Sequence, residues 1–387
     1  MGIRIQLLTV AFTLCVSFPV IPTSAQTSTT GTIEGVVTDS NQAVVIAAIV
    51  TVTSANLIRA QSATTDSEGR FRILNLPPGK YTVVVEAAAG FARFVRADVE
   101  VNLSKTSFVA IQLEPAGTTA HVIVSSTSGA AVDTNSNTGG TNVSTEQFSS
   151  FTTQRTVQSI YTIAPSVARS GLRDQSGRDR DPSVAGASGL ENGYILDGIN
   201  TTDPVFGGSG ANLPFEFIQE VEIKTGAFGA EYGLATGGIF NVLTKSGGND
   251  LHGDAFAYFT TRGLVRGTKY FPFTGSAPNG FSEIDAGFDL GGAIKKDQLW
   301  FFGAFNPQRR ENSYLTQTFH QPVSNKVTTP FYAGKLTYAP NERHTLTFST
   351  FGDFTKISGF RISPTNAGGP AVAGFGADPN SFLGEAE

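Results

Sequence analysis

The chain has 387 residues, 40% of them hydrophobic, and a net charge of -5. That is enough for two or three domains with cores of their own, and the charge argues against a nucleic-acid partner, which would need a concentrated excess of Lys and Arg. The single cysteine, Cys15, leaves no disulfide or thiolate chemistry downstream.

Arg4, the apolar stretch from Ile5 to Val20 and the small residues Thr23-Ser24-Ala25 predict a signal peptide over residues 1–25, with the mature chain starting at Gln26. Pro19, Pro22 and the shortness of the stretch speak against a membrane anchor. Leu14 stands where a lipoprotein signal needs a small residue before Cys15. The longest later apolar run is about Ala43 to Val50, so a membrane would have to be crossed by a barrel.

Residues 26–114 read as a mainly β unit. Tyr81, Val83 and Val85 alternate with Thr82, Val84 and Glu86. Val99, Val101 and Leu103 alternate with Glu100 and Asn102, and Val109, Ile111 and Leu113 share one face. Asp66-Ser67-Glu68-Gly69 and Pro77-Pro78-Gly79 supply turns between them. Short strands at this spacing predict a small antiparallel sandwich. The run from GTIEGVVTDS through DSEGRFRILNLPPGKYTV to LEP resembles the carboxypeptidase regulatory-like domain, which implies a prealbumin-like β-sandwich without catalysis. In that family Gly and Pro are usual in the loop after the first strand, where Gln42, Ile46 and Ala47 stand here. Such sandwiches are also similar to starch-binding modules.

Residues 115–142 turn to Gly, Thr, Ser and Asn, the composition of a mobile linker. Its short apolar exception is His121-Val122-Ile123-Val124-Ser125. A strand exposed in a linker can add its backbone to a partner's sheet edge; an ordered linker strand would look the same. Next, Ser144 with Gln147 fits a capping box, and Val157, Ile160, Tyr161 and Ala164 recur at helical spacing until Pro165. Tyr194 to Ile199 predicts two apolar strands around the Asp197-Gly198 turn. In FIQEVEIKTGAFGAEYGLATGGIFNVLTKSGGN, residues 217–249, Val221 and Ile223 alternate with Glu220, Glu222 and Lys224. Gly226, Gly229, Gly233, Gly237 and Gly238 then break the chain before a strand from Ile239 to Leu243.

This run resembles the end of the TonB-dependent receptor plug. Ile218, Val221, Glu222, Tyr232-Gly233, Gly237-Gly238, Asn241 and Thr244-Lys245 stand at the family's pattern, and Asp197-Gly198 matches its earlier hairpin. With the sandwich ahead and HGDAFAYF behind, the chain is similar to the Oar-like subgroup over nearly its whole mature length. The resemblance implies an α/β plug over residues 143–248. It also implies a TonB box ahead of the plug, for which His121, Val122, Ile123, Val124 and Ser125 are the candidate contact. The implied partners are TonB with its inner-membrane energising complex, outer-membrane lipid, and a small solute or glycan.

Residues 249–387 predict the start of an antiparallel transmembrane β-barrel. Ile284, Ala286, Phe288, Leu290 and Ile294 form one face and Asp285, Gly287, Asp289 and Gly291 the other, apolar side out. Lys295-Lys296-Asp297 turns into Leu299-Trp300-Phe301-Phe302. Tyr332, Leu336 and Tyr338 alternate with Lys335 and Thr337, and Pro340-Asn341 leads into Thr345 to Phe354. A soluble sandwich would alternate in the same way. The 139 residues after Gly248 hold about six candidate strands, where a plugged transporter barrel takes about 22. The expectation is therefore an N-terminal part of a longer receptor, an incomplete barrel seen as an open, curved sheet beside the plug, unable to insert as a closed monomer. The ending FLGEAE lacks the aromatic last residue usual in the family.

Chemistry has little support. The histidines His121, His252, His320 and His344 are isolated, there is no GxSxG or GxxxxGK[ST], and Asp174, Asp179 and Asp181 lack EF-hand spacing. No catalytic residue, metal or cofactor is expected. The reading is TonB-dependent uptake of an unidentified solute across the outer membrane, the sandwich lying in the periplasm. The alternative is a surface or carbohydrate-binding adhesion protein without transport.

Overall fold

The computed structural model describes residues 29–86, 90–116, 122–123, 138–148, 155–171, 180–205, 207–261, 263–264, 276–316, 322–341 and 344–359. The expected signal peptide lies outside them, as do His121, Val124 and Ser125 of the candidate contact strand.

Seven strands form the first unit: β1 (Gly31–Asp39), β2 (Ile49–Thr53), β3 (Gln61–Thr64), β4 (Arg70–Leu76), β5 (Gly79–Val85), β6 (Phe94–Val101) and β7 (Thr106–Leu113). Two sheets, β4-β1-β7 and β3-β2-β5-β6, enclose a core that includes Ile33, Val50, Phe71, Tyr81, Val83 and Ile111. Alternation sets this directly, since successive side chains of a strand point to opposite faces. The Asp66 carboxylate closes its turn by accepting the amides of Glu68 at 2.9 Å and Arg70 at 2.8 Å. In the loop after β1, Gln42 and Ala47 take φ of 67° and 59°. The loop keeps a glycine-like backbone without glycine, at a cost of about 1 kcal/mol per residue.

The sandwich is not wholly antiparallel: β1 pairs with β7 in parallel, from Thr32↔Thr106 to Asp39↔Leu113. The β6–β7 turn starts β7 beside the beginning of β1, where Thr32 donates to the Lys105 carbonyl at 3.0 Å and Ser104 to that of Thr30 at 3.1 Å. Side-chain alternation carries no information about strand direction, so the sequence pattern could not report it. A short strand, β8 (Val122–Ile123), then joins the other sheet in parallel on β6.

The second unit comprises β9 (Gly139–Ser144), α1 (Thr145–Phe148), α2 (Val157–Tyr161), β10 (Val167–Ala168), β11 (Ser183–Val184), β12 (Gly193–Leu196), β13 (Ile199–Asn200), β14 (Ile218–Gly226) and β15 (Ile239–Thr244). Its main sheet runs β13-β12-β15-β14-β9, so the end of the expected linker, Gly139 to Asn142, is strand. Only part of the expected capping box forms: the Ser144 amide donates to the Gln147 side chain at 3.2 Å. The helical spacing yields two short helices, the second preceded by Thr156 without a side-chain cap. α2 is held by burial instead, Tyr161 stacking on Phe240 at 4.2 Å and Phe240 on Tyr194 at 5.3 Å.

The third unit is one antiparallel sheet of β16 (Ala255–Thr260), β17 (Ser276–Lys295), β18 (Leu299–Thr316), β19 (Pro322–Asn341), β20 (His344–Gly352) and β21 (Lys356–Gly359). The path β16-β17-β18-β19-β20 does not close on itself among the described residues, and β21 shares β19 with β20. Ile284, Phe288, Leu290 and Ile294 are exposed while Asp285 and Asp289 are buried, the apolar-out arrangement expected of β17. The inner faces of β18 and β19 are more apolar than that pattern. Phe302, Ala304, Phe331 and Ala333 belong to the same buried cluster as Ile160, Phe217 and Phe240 of the second unit. The second unit's core thus continues into the sheet that flanks it.

Candidate functional site

The Asp197-Gly198 turn has φ of 49° and 80°, the double left-handed geometry of a type I′ hairpin. It aims the Asp197 carboxylate across the sheet at the end of β15. There it accepts the Thr244 amide at 2.9 Å, the Thr244 hydroxyl at 2.6 Å and the Lys335 ammonium of β19 at 3.0 Å. Lys335 also donates to the Thr244 carbonyl at 2.9 Å. One carboxylate therefore fastens two segments of the second unit and binds both to the flanking sheet. Buried pairs like this resist removal of one partner, because the remaining charge stays desolvated.

Lys245 and Arg155 also form ion pairs across the same boundary. Lys245 lies 3.1 Å from Asp289 of β17, while its amide donates to the Phe217 carbonyl at 2.9 Å. Arg155 pairs with Glu216 and, at 2.8 Å, with Asp285. Its guanidinium lies 3.5 Å from the Tyr258 ring centroid and 4.9 Å from those of Phe215 and Phe256. Asn306 donates to the other Asp285 oxygen at 2.7 Å. Burial pushes the Glu216 carboxyl up to about 7, although Arg155 pulls the other way.

Glu222 organises the other side of the sheet. Its carboxylate takes Lys224 at 3.1 Å, Asn241 at 3.3 Å and the Ser104 hydroxyl of the sandwich at 3.0 Å. Tyr232 covers the Lys224 ammonium, 4.9 Å from its ring centroid. Gly238 permits a close approach, since a Cβ there would lie 2.8 Å from the Val184 side chain. Its amide donates to Asn192 at 2.8 Å. A Cβ at Gly237 would meet the same Asn192 side chain at 2.4 Å. A Cβ at Gly233 meets nothing within 4 Å.

The structure thus places Glu222 and Asn241 on neighbouring strands of one sheet, with the Asp197-Gly198 turn, Gly237-Gly238 and Lys245 at the ends of its strands, and leaves Tyr232-Gly233 on the loop between β14 and β15. Of the candidate contact strand, Val122 pairs with Val95 and Ile123 with Arg96. This stretch lies on the sandwich's own sheet edge. Sequence reading missed Arg155, Glu216 and Lys335. Lys335 had one legible sign, a cation alternating with the apolar and aromatic residues Tyr332, Leu336 and Tyr338. Among the described residues no group of three or more His, Cys, Asp or Glu could hold a metal ion. The geometry is that of charged anchors between two units.

A carboxypeptidase regulatory-like domain model matches residues 32–114, a TonB-dependent receptor plug domain model residues 131–239, and an outer membrane beta barrel domain model residues 243–380. The chain is 32% identical over 393 residues to the TonB-dependent transporter Oar of Myxococcus xanthus, covering 90% of this chain and 36% of that protein. The chain carries a TonB-dependent receptor plug domain followed by outer-membrane barrel strands. The receptor is also 32% identical over 112 residues to the ferrienterobactin receptor of Escherichia coli (strain K12), covering 27% of this chain and 14% of that one. The solved outer membrane transporter YddB from Escherichia coli aligns with a TM-score of 0.44 and 15% identity, over 56% of this chain and 33% of that chain. The receptor thus spans little more than a third of its Myxococcus relative. It is an outer-membrane protein with a plug and barrel strands, and among the described residues no helix is long and apolar enough to cross a membrane.

Proposed function

We propose that this receptor takes a small solute or glycan inward across the outer membrane, driven by TonB with its inner-membrane energising complex and without bond-breaking chemistry. In this reading residues 1–25 are the signal peptide and 26–114 a periplasmic sandwich. Residues 115–142 form a linker with the TonB contact at His121 to Ser125, 143–248 the plug and 249–387 the first barrel strands. The observation that carries the reading is the plug's attachment. It shares an apolar cluster with the barrel strands and is tied to them through Asp197–Lys335, Lys245–Asp289 and Arg155–Asp285. A body held by one apolar patch and a few polar anchors is firm at rest, and its anchors are the contacts a pull would break first. Uptake fits a pull on the linker, which leads directly into β9 at the plug's sheet edge.

The test is binding of purified TonB C-terminal domain to the full chain and to its Ile123→Pro variant. Proline removes a backbone donor from the added strand, so affinity should fall at least tenfold while outer-membrane export is unchanged. Equal affinities would move the contact elsewhere in the linker.

A further inference from the structure

Among the described residues, polar groups join the sandwich to the rest of the receptor at three separate places. The β6–β7 turn projects into the plug's outer sheet face. Leu103, with no exposed surface, donates its amide to Glu220 at 2.9 Å, and the Ser104 hydroxyl donates to Glu222 at 3.0 Å. Asn142, on the edge strand β9, donates to the Leu103 carbonyl at 2.9 Å and to Glu220 at 2.7 Å. Both carboxylates are almost fully buried, at 2% and 3% exposure. A carboxylate exposed on a plug face would need no such enclosure, and burying it is costly unless donors replace water.

The second contact is with the membrane sheet. Arg59, in the loop between β2 and β3, donates to the Asp297 carbonyl at 2.7 Å and to the Ala339 carbonyl at 3.2 Å. These carbonyls belong to the β17–β18 turn and the end of β19. In the same loop the Ala55 carbonyl is so close to Gly248, where plug passes into barrel, that a Cβ there would lie 3.3 Å from it. The third contact is exposed: Lys80 pairs with Glu146 of α1 at 2.9 Å. Such a pair is worth little by itself, but it lies beside β9 and adds a further point of attachment.

We propose that the sandwich is a clamp on the plug: it bridges β14 and β9 to the turns of the membrane sheet, and Glu220 and Glu222 must release the β6–β7 turn before that edge of the plug can move. A sandwich tied only by its linker would leave these carboxylates in water and would have no reason to offer Arg59 to backbone carbonyls of the barrel turns. The clamp also sits where a pull would act. Among the described residues β9 is the last strand of the plug sheet and pairs with β14 alone, and Asn142 links it to both halves of the latch. The inference stands whether or not the receptor carries a solute.

The test uses the mature chain from Gln26, which holds no cysteine, in detergent micelles, with spin labels at Ser62→Cys on the sandwich and Ala230→Cys on the plug. Ser104→Gly with Arg59→Ala opens the clamp from the sandwich side. Ser104 already has a φ of 57°, which glycine adopts without strain, and the plug sequence is untouched. The clamp predicts one narrow label-to-label distance in the parent and at least a doubled width in the double variant. It also predicts amide exchange in the β9 and β14 peptides at least tenfold faster in the variant. Glu220→Gln with Glu222→Gln serves as a plug-side control and should broaden the distance less, because the amide oxygens still accept. A broad distance in the parent, or a narrow one unchanged in the sandwich-side variant, would overturn the proposal. So would released labels with unchanged exchange in β9 and β14, since the sandwich would then be attached without restraining anything.

Discussion

In β1 of the sandwich, Ile33 and Val37 are buried and Glu34 points outward; in β17 of the membrane sheet, Ile284, Phe288 and Leu290 point outward and Asp285 and Asp289 are buried. Both strands follow the same period of two. The sandwich is covered by water and faces a second sheet, so its apolar side turns in. The membrane sheet is covered by lipid and faces the plug, so its apolar side turns out. Alternation defines two faces, and the medium against each face decides what the faces are for.

Replacing an apolar residue by Arg at three positions should separate these cases. Ile33→Arg places an unpaired charge in the sandwich core and should cost at least about 4 kcal/mol. The expected outcome is loss of the sandwich's cooperative urea transition. Phe288→Arg faces lipid, where an Arg costs about 2–4 kcal/mol near the bilayer centre. Its readout is less chain co-sedimenting with phospholipid vesicles, and unchanged co-sedimentation would mean that this face of β17 does not meet lipid. Phe108→Arg, on the sandwich's exposed outer face, should have the smallest effect of the three.

Between these lies a pH effect at the boundary of the two regions. Burial pushes Glu220 up to about 7, against the pull of Asn142 and the Leu103 amide, with Glu222 adding to the rise. The folded chain therefore holds this proton to a higher pH than the unfolded chain does. Its stabilising contribution is complete below about pH 4.5 and is lost as pH rises through about 7. Glu220→Gln removes the titration, and the difference in urea midpoint between parent and variant should change by the equivalent of about 1–2 kcal/mol between pH 5 and pH 8. Glu216 titrates in the same direction in both proteins, so the difference is the measurement. A difference independent of pH would mean that Glu220 is not held in a desolvated site. Phe108→Arg should shift stability by no more than about 0.5 kcal/mol, and a larger loss by urea titration would show that Phe108 is covered by another part of the receptor.

Much of the local architecture was legible beforehand. The buried set Tyr81, Val83 and Val85, the Asp66 turn, the Asp197-Gly198 hairpin and the two faces of residues 284–291 all follow from features within a few residues of one another. The motif positions Asp197, Glu222 and Lys245 were legible as a pattern but not as anchors. Their partners Lys335, Ser104 and Asp289 lie 138, 118 and 44 residues away.

The amino-acid sequence by itself determined where strands and turns fall and which residues share a face, because those depend on backbone preference and on a repeat of two. Only the tertiary structure decided that β1 meets β7 in parallel, that the helical stretch divides into α1 and α2, and that the polar side of β14 is buried under a sandwich turn. Each of these depends on which distant surface covers a face. Whether Glu220 faces water or a ring of donors is open until folding brings Leu103 and Asn142 beside it.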